Sequence, residues 1–165
     1  MADKSLNERL QPSLLDRLTD YDPTAKEETR DARVIDLRRL REIIQRDLSW
    51  LLNTSSSDQI IDETTYPNVT ASVLNYGVRE VAGGYSGLER AEFIRSMIVR
   101  AIKNFEPRIV PETLSVKLRK EDSGSNTLIN YDIAADMWAQ PVPMELYLRS
   151  QVDLASGELS LERVG

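Results

Sequence analysis

A chain of 165 residues and 18.7 kDa, 41% hydrophobic and 29% charged, is long enough to bury a core as one soluble domain. It contains neither cysteine nor histidine, which excludes a disulfide framework, a zinc cluster, a thiolate nucleophile and any Ser-His-Asp triad. The net charge of −6 lies wholly at the C-terminal end: residues 1–120 balance 19 basic against 19 acidic side chains, while residues 121–165 hold two arginines against eight acids.

That balance disfavours a nucleic-acid partner, which needs a basic surface. The acidic end is either a solvated sheet surface or a face that meets a basic partner. No apolar run approaches the roughly 18 residues of a membrane helix, and the opening MADKSLNERLQPS lacks the apolar core of a secretory signal. A cytoplasmic protein without direct membrane insertion is expected.

Residues 1–31 are mostly polar and charged, with Leu14, Leu15 and Leu18 as one short apolar cluster, too short for a helix that is stable alone. It is read as a docking motif, for the chain's own domain or for another protein. Asp22–Arg33 mixes both charge signs and reads as a linker or a solvated helix start. Residues 32–165 are expected to form a single domain.

In that domain Leu37, Leu40, Ile44, Leu48 and Leu51 recur at helical spacing, with Arg38–Glu42 and Glu42–Arg46 as i,i+4 pairs on the wet side. The helix should fail at Asn53-Thr-Ser-Ser-Ser. Tyr66-Pro67-Asn68 reads as a turn, and Val69–Gly77 as about two turns of helix capped by Gly77. Gly83-Gly84 matches no phosphate or dinucleotide fingerprint, so no cofactor is implied.

Ser86 and Glu89 have the spacing of a capping box. Ala91, Ile94, Ile98, Ala101 and Phe105 then form a second apolar helix face, which Pro107 ends. Ile109-Val110-Pro111 reads as extended. From Leu114 onward the period is two: Leu114, Val116 and Leu118; Ile129, Tyr131, Ile133, Ala135 and Met137; Met144, Leu146 and Leu148, with Val152 and Leu154; then Leu159 and Leu161. Glu121–Asn126, Gln140-Pro-Val-Pro143 and Ala155-Ser-Gly157 separate these runs. The expected fold is α+β: two long amphipathic helices on a four-stranded, mainly antiparallel sheet, in two layers.

Glu106-Pro107-Arg108 stands out locally. A carboxylate in the last helical turn opposes the helix dipole, whereas Arg108 favours it. Around an extended proline the two charges point to similar sides, as an internal brace or as a two-pronged recognition site. Among enzymatic readings only carboxylate chemistry survives, with Glu89, Glu92 and Glu106 as the helix-borne candidates, and each has a plain structural explanation.

Five stretches stand in one order: Pro12-Ser-Leu-Leu-Asp-Arg-Leu-Thr-Asp20, Arg46-Asp47-Leu-Ser-Trp-Leu-Leu-Asn53, Ser72-Val-Leu-Asn-Tyr-Gly77, Phe105-Glu-Pro-Arg108 and Val152-Asp-Leu-Ala-Ser-Gly-Glu158. Together they resemble TssE, the type VI secretion baseplate family related to wedge proteins of contractile phage tails. The resemblance implies a structural role in a cytoplasmic baseplate docked at the inner membrane complex. It implies TssF, TssG and TssK as partners, and the sheath proteins TssB and TssC where the sheath begins. It also implies that Glu106, Pro107 and Arg108 make wedge contacts. Leu161, in the last strand, marks an edge that a sheath strand could extend. The alternative is a lysozyme-like peptidoglycan hydrolase that uses carboxylates.

Overall fold

A computed structural model describes residues 13–20, 23–24, 35–83, 87–119, 127–138 and 143–163. The period-two stretches form four strands, β1 (Ser115–Arg119), β2 (Leu128–Met137), β3 (Met144–Asp153) and β4 (Leu159–Arg163), in one antiparallel meander ordered β1-β2-β3-β4. Every second residue of β2 and β3 is buried, from Ile129 to Met137 and from Leu146 to Val152, so one sheet face is dry. Two helices cover it: α2 (Leu37–Leu52) lies over β4, and α4 (Leu88–Phe105) lies over β1. The expected α+β two-layer fold is the observed one.

Each helix buries the stripe that its sequence announces, slightly widened. In α2 the buried residues are Leu40, Ile43, Ile44, Leu48, Leu51 and Leu52, with Leu37 only half-buried. In α4 they are Ala91, Ile94, Ile98, Ala101 and Ile102, and Phe105 lies half-buried against the ring of Tyr76, 5.4 Å away and edge-on. Tyr131 ties the layers together: fully buried on β2, it donates its hydroxyl to the Ala91 carbonyl at 2.8 Å. Burial, then the Glu92 charge, raises its pKa above the ordinary tyrosine value.

Several local expectations are corrected. The N-cap of α4 is Gly87 and makes no side-chain cap bond, so Glu89 is not at the capping-box position; Ser86 lies outside the described residues. Glu42 pairs with Arg38 and Arg39, while Arg46 turns away to other acids. Val69–Gly77 is not one helix: a short α3 (Pro67–Thr70), with Pro67 at its start, is followed by a 3-10 turn, Val73–Asn75. Gly77 caps neither. At φ +119° it lets the chain pass beside α2's exit, where a Cβ would sit 2.2 Å from the Thr54 carbonyl oxygen. Val78 then donates to the Thr54 carbonyl, and Ser56 to the Val78 carbonyl, both at 2.8 Å.

Most of the expected linker at 22–33, the loop at 121–126 and most of the 140–143 stop lie outside the described residues, as does Val164 beyond β4. Among the described residues no helix is long and apolar enough to cross a membrane.

Candidate functional site: a charged corner between two helices and a sheet

Helix α4 ends because Pro107 follows Glu106, whose backbone N–H still donates to the Ile102 carbonyl at 2.9 Å. The chain then runs extended beside β2: Val110 donates to the Asp136 carbonyl at 2.9 Å, and the Trp138 amide to the Arg108 carbonyl at 2.7 Å. Ile109 bridges to Met137, in line with the expected extended segment. The corner is therefore pinned by backbone bonds on both sides, and its charged side chains start from fixed positions.

Glu106 and Arg108 pair with each other. Arg108 Nε donates to Glu106 Oε1 at 2.7 Å, its Nη2 donates to Oε2, and its backbone N–H adds a bond to Oε1 at 3.1 Å. This bidentate fork holds the guanidinium in one plane. The same Nη2 reaches Asp47 Oδ2 on α2 at 2.7 Å. Asp47 Oδ1 accepts in turn from Arg46 at 2.7 and 3.0 Å, and Arg46 holds Asp16 through two further bonds of 2.6 and 3.0 Å. Five alternating charges thus form one chain: Glu106, Arg108, Asp47, Arg46, Asp16.

The two ends of this chain are buried and its middle is partly open. The Glu106 side chain is only 4% exposed, whereas that of Arg108 keeps 28%. Glu106 lies beneath and Arg108 shows an edge to solvent, with Pro107 exposed beside it. Desolvation works to lower the Arg108 pKa, but Glu106 and Asp47 outweigh it and hold the guanidinium more firmly charged than usual. Arg46 is likewise raised, first by its hydrogen bonds to Asp16. The same bonds hold Asp16 down at about 2.

Asp16 belongs to a short helix, α1 (Leu14–Leu18), capped by Ser13, whose hydroxyl also bonds the Asp16 carboxylate. The docking of α1 reverses the sequence expectation for its own domain. Its acid is the docked residue, with a 5% exposed side chain, while Leu14, Leu15 and Leu18 are 69%, 49% and 75% exposed. Nearby, the Arg46 guanidinium stacks over the half-exposed ring of Trp50, 4.8 Å from its centroid. A cleft of about 470 Å³ opens here, lined among others by Ser13, Asp47, Trp50, Tyr76 and Pro107. Burial, then Asp47 and Glu106, raises the pKa of the Tyr76 phenol.

Four of the five stretches singled out in the sequence converge on this cleft, although they are dispersed between Ser13 and Arg108. Reasoning from single motifs missed Asp16, Arg46, Asp47, Trp50 and Tyr76; their presence in those stretches is the signal that pointed to them.

A family model, described as baseplate wedge protein gp25, matches residues 38–142, more than half of the chain. The chain belongs to that family. The matched span begins one residue into α2 and ends just before β3, so it contains Arg46, Asp47, Glu106 and Arg108 but not Asp16. It leaves out α1, β3 and β4. No curated protein and no solved structure matches the chain.

The two remaining predicted positions fall elsewhere. Leu161 sits in the middle of β4, opposite Ser150 and partly buried against the core. The outer edge of β4 is already engaged by α2: Asn53 donates to the Leu159 carbonyl at 2.8 Å and accepts from its amide at 2.9 Å, while Gln45 donates to the Leu161 carbonyl at 3.0 Å. Of the carboxylates considered for chemistry, Glu106 is held in the arginine fork and Glu92 pairs with Arg95 at 2.7 Å. Among the described residues no group of three or more acids could hold a metal ion.

Proposed function

We propose that this chain is a structural subunit of a type VI secretion baseplate wedge, of the TssE kind, that acts in the cytoplasm at the inner membrane complex and not as an enzyme. The observation that carries the reading is the ion chain from Glu106 to Asp16. It fastens α1, α2 and the corner into one surface, and around it the exposed groups are those a protein partner buries: three leucines, Trp50, Pro107 and one edge of Arg108. A charged group held by a buried counter-ion loses little freedom when a partner closes over it. Glu106 is then the residue that positions Arg108, and Arg108, Pro107, Leu14, Leu15 and Leu18 are the residues that touch TssF, TssG or TssK.

Co-purification with TssF, TssG and TssK tests this directly. The unmodified chain is expected to bring the wedge subunits down. A folded Leu14→Ser/Leu18→Ser variant and a folded Arg108→Ala variant should each bring down at least about tenfold less, as hot-spot truncations do. Full binding by both variants would reduce the corner to an internal brace.

Contact with the sheath proteins TssB and TssC is assigned to the β4 edge at Leu161. A strand that joins this edge must displace Gln45 and Asn53, so Leu161→Pro should stop sheath nucleation while wedge assembly persists. Equal loss of both, or of neither, counts against the assignment.

A further inference from the structure

The sheet face opposite the helices is covered by no described helix, and its charges are arranged unevenly. In its middle, one register row runs across all four strands as Lys117, Asp132, Arg149 and Glu162, alternating in sign. Arg119 and Arg149 approach Asp132 at 3.7 and 3.9 Å, so this part neutralises itself.

Four residues further along β2 the pattern breaks. Asp136 and Glu145 are directly opposite each other on β2 and β3, with Cβ atoms about 4.5–5.5 Å apart in such a pair. Among the described residues no lysine or arginine forms an ion pair with either carboxylate. Like charges in this position oppose the sheet. Two aromatic rings on the same outer face flank them: Tyr147, 48% exposed, and Trp138, 65% exposed. Ala134, opposite Tyr147, leaves a low floor between them. The backbone here is rigid, because the Trp138 amide is held by the Arg108 carbonyl and the Asp136 amide by Thr113 Oγ1 at 2.8 Å. The Glu145 charge beside Tyr147 is the leading cause that raises that phenol's pKa.

Two unneutralised carboxylates between an exposed indole and an exposed phenol offer what a guanidinium needs: planar acceptors for its N–H groups and aromatic faces for its own face. We propose that this end of the open sheet face is a docking surface for an arginine-bearing segment of a protein partner, with Asp136 and Glu145 as the acceptors and Trp138 and Tyr147 as the stacking walls. Charge complementarity selects this occupant, since the acidic excess of the chain lies in residues 121–165 and the two carboxylates of this patch face each other without an ion-paired cation among the described residues. The inference is independent of the wedge reading and concerns a different side of the sheet from α2 and α4.

The test is an NMR titration of the full isotope-labelled chain with a blocked Leu-Arg-Leu-Arg-Leu peptide. Its control has citrulline in place of both arginines, which keeps shape and removes charge. Saturable shifts are expected at the Trp138 indole and at the Asp136, Glu145 and Tyr147 amides. Binding should weaken at least about tenfold with the citrulline peptide or in the D136N/E145Q variant, as for loss of a charge-assisted pair. The same variant should melt about 1–3 °C higher, because a cross-strand repulsion is removed. No binding, equal binding by both peptides, shifts spread over the other acids, or a lower melting temperature would each overturn the proposal.

Discussion

At the corner, five charged side chains from three separate segments satisfy one another, and the most buried of them, Glu106, is bonded three times by Arg108. At the far end of the open sheet face, Asp136 and Glu145 face each other with no cation of the described chain in reach. The two regions are neighbours, joined by the hydrogen bond from the Trp138 amide to the Arg108 carbonyl. Their difference is one of use. Charges that neutralise each other fix the geometry of the chain itself, and what such a region offers a partner is shape and apolar surface. Charges left without a counter-ion do not stabilise the fold, and what they offer is electrostatic attraction.

The contrast is sharpest in stability. Glu106→Ala should cost about 2–4 kcal/mol in denaturant unfolding, a little under the range for breaking a fully buried pair, because Arg108 keeps Asp47 and some solvent. Glu106→Gln should cost less, since the amide oxygen can still accept one bond. If Glu106→Ala were neutral, the corner would not be held by its ion chain.

Next in size is the α2 side chain that covers the β4 edge. Asn53 makes bonds to Ser49, to the Leu159 carbonyl and to the Leu159 amide, and Asn53→Ala should cost about 1–3 kcal/mol by leaving those groups unpaired. Its chemical-shift changes should run along β4 while the corner is left unchanged.

Acid should separate the regions without any substitution. The folded Asp16 carboxyl titrates near 2, below its ordinary value of 3.8. A depressed carboxylate pKa contributes stability that is complete above the ordinary value and is lost as pH falls through the folded one. The attachment of α1 to Arg46 should therefore weaken between about pH 4 and pH 2. Trp50, under the Arg46 guanidinium, reports it by fluorescence. Asp16→Asn should reproduce the low-pH signal at neutral pH. An unchanged Trp50 signal in both would mean that α1 is held by something other than this pair.

The smallest effect has the opposite sign. Asp136→Asn alone should stabilise by about 0.2–1 kcal/mol, since it removes a like-charge cross-strand pair. A stabilising carboxylate at the open face set against a stabilising carboxylate at the corner would erase the distinction between the two regions.

Much of the fold was legible because it is periodic. The apolar stripes of α2 and α4 repeat at three and four, the strands repeat at two, and Pro107 ends α4 by its covalent geometry. The corner itself was visible as two opposite charges around a proline. Its wiring was not, because Asp16 and Arg46 are 30 positions apart, Asp47 and Arg108 are 61 apart, and Asn53 meets β4 across 106 positions. No spacing rule announces such pairs. Gly77 is ambiguous for a related reason: a glycine after a short helix-like run suits a helix cap as well as a close crossing, and only the nearby Thr54 carbonyl decides between them. The leucines of α1 mark an apolar cluster in the sequence, but no pattern there announces that the acid between them docks on α2 while they stay outside.

The most direct test of the central claim is backbone hydrogen exchange of the full chain, alone and in complex with TssF and TssG. The account predicts added protection confined to Leu14–Leu18, the exposed side of α2 around Trp50, and residues 105–110, with the sheet core unchanged. Protection gained elsewhere, with these three segments exchanging as they do in the free chain, would contradict it.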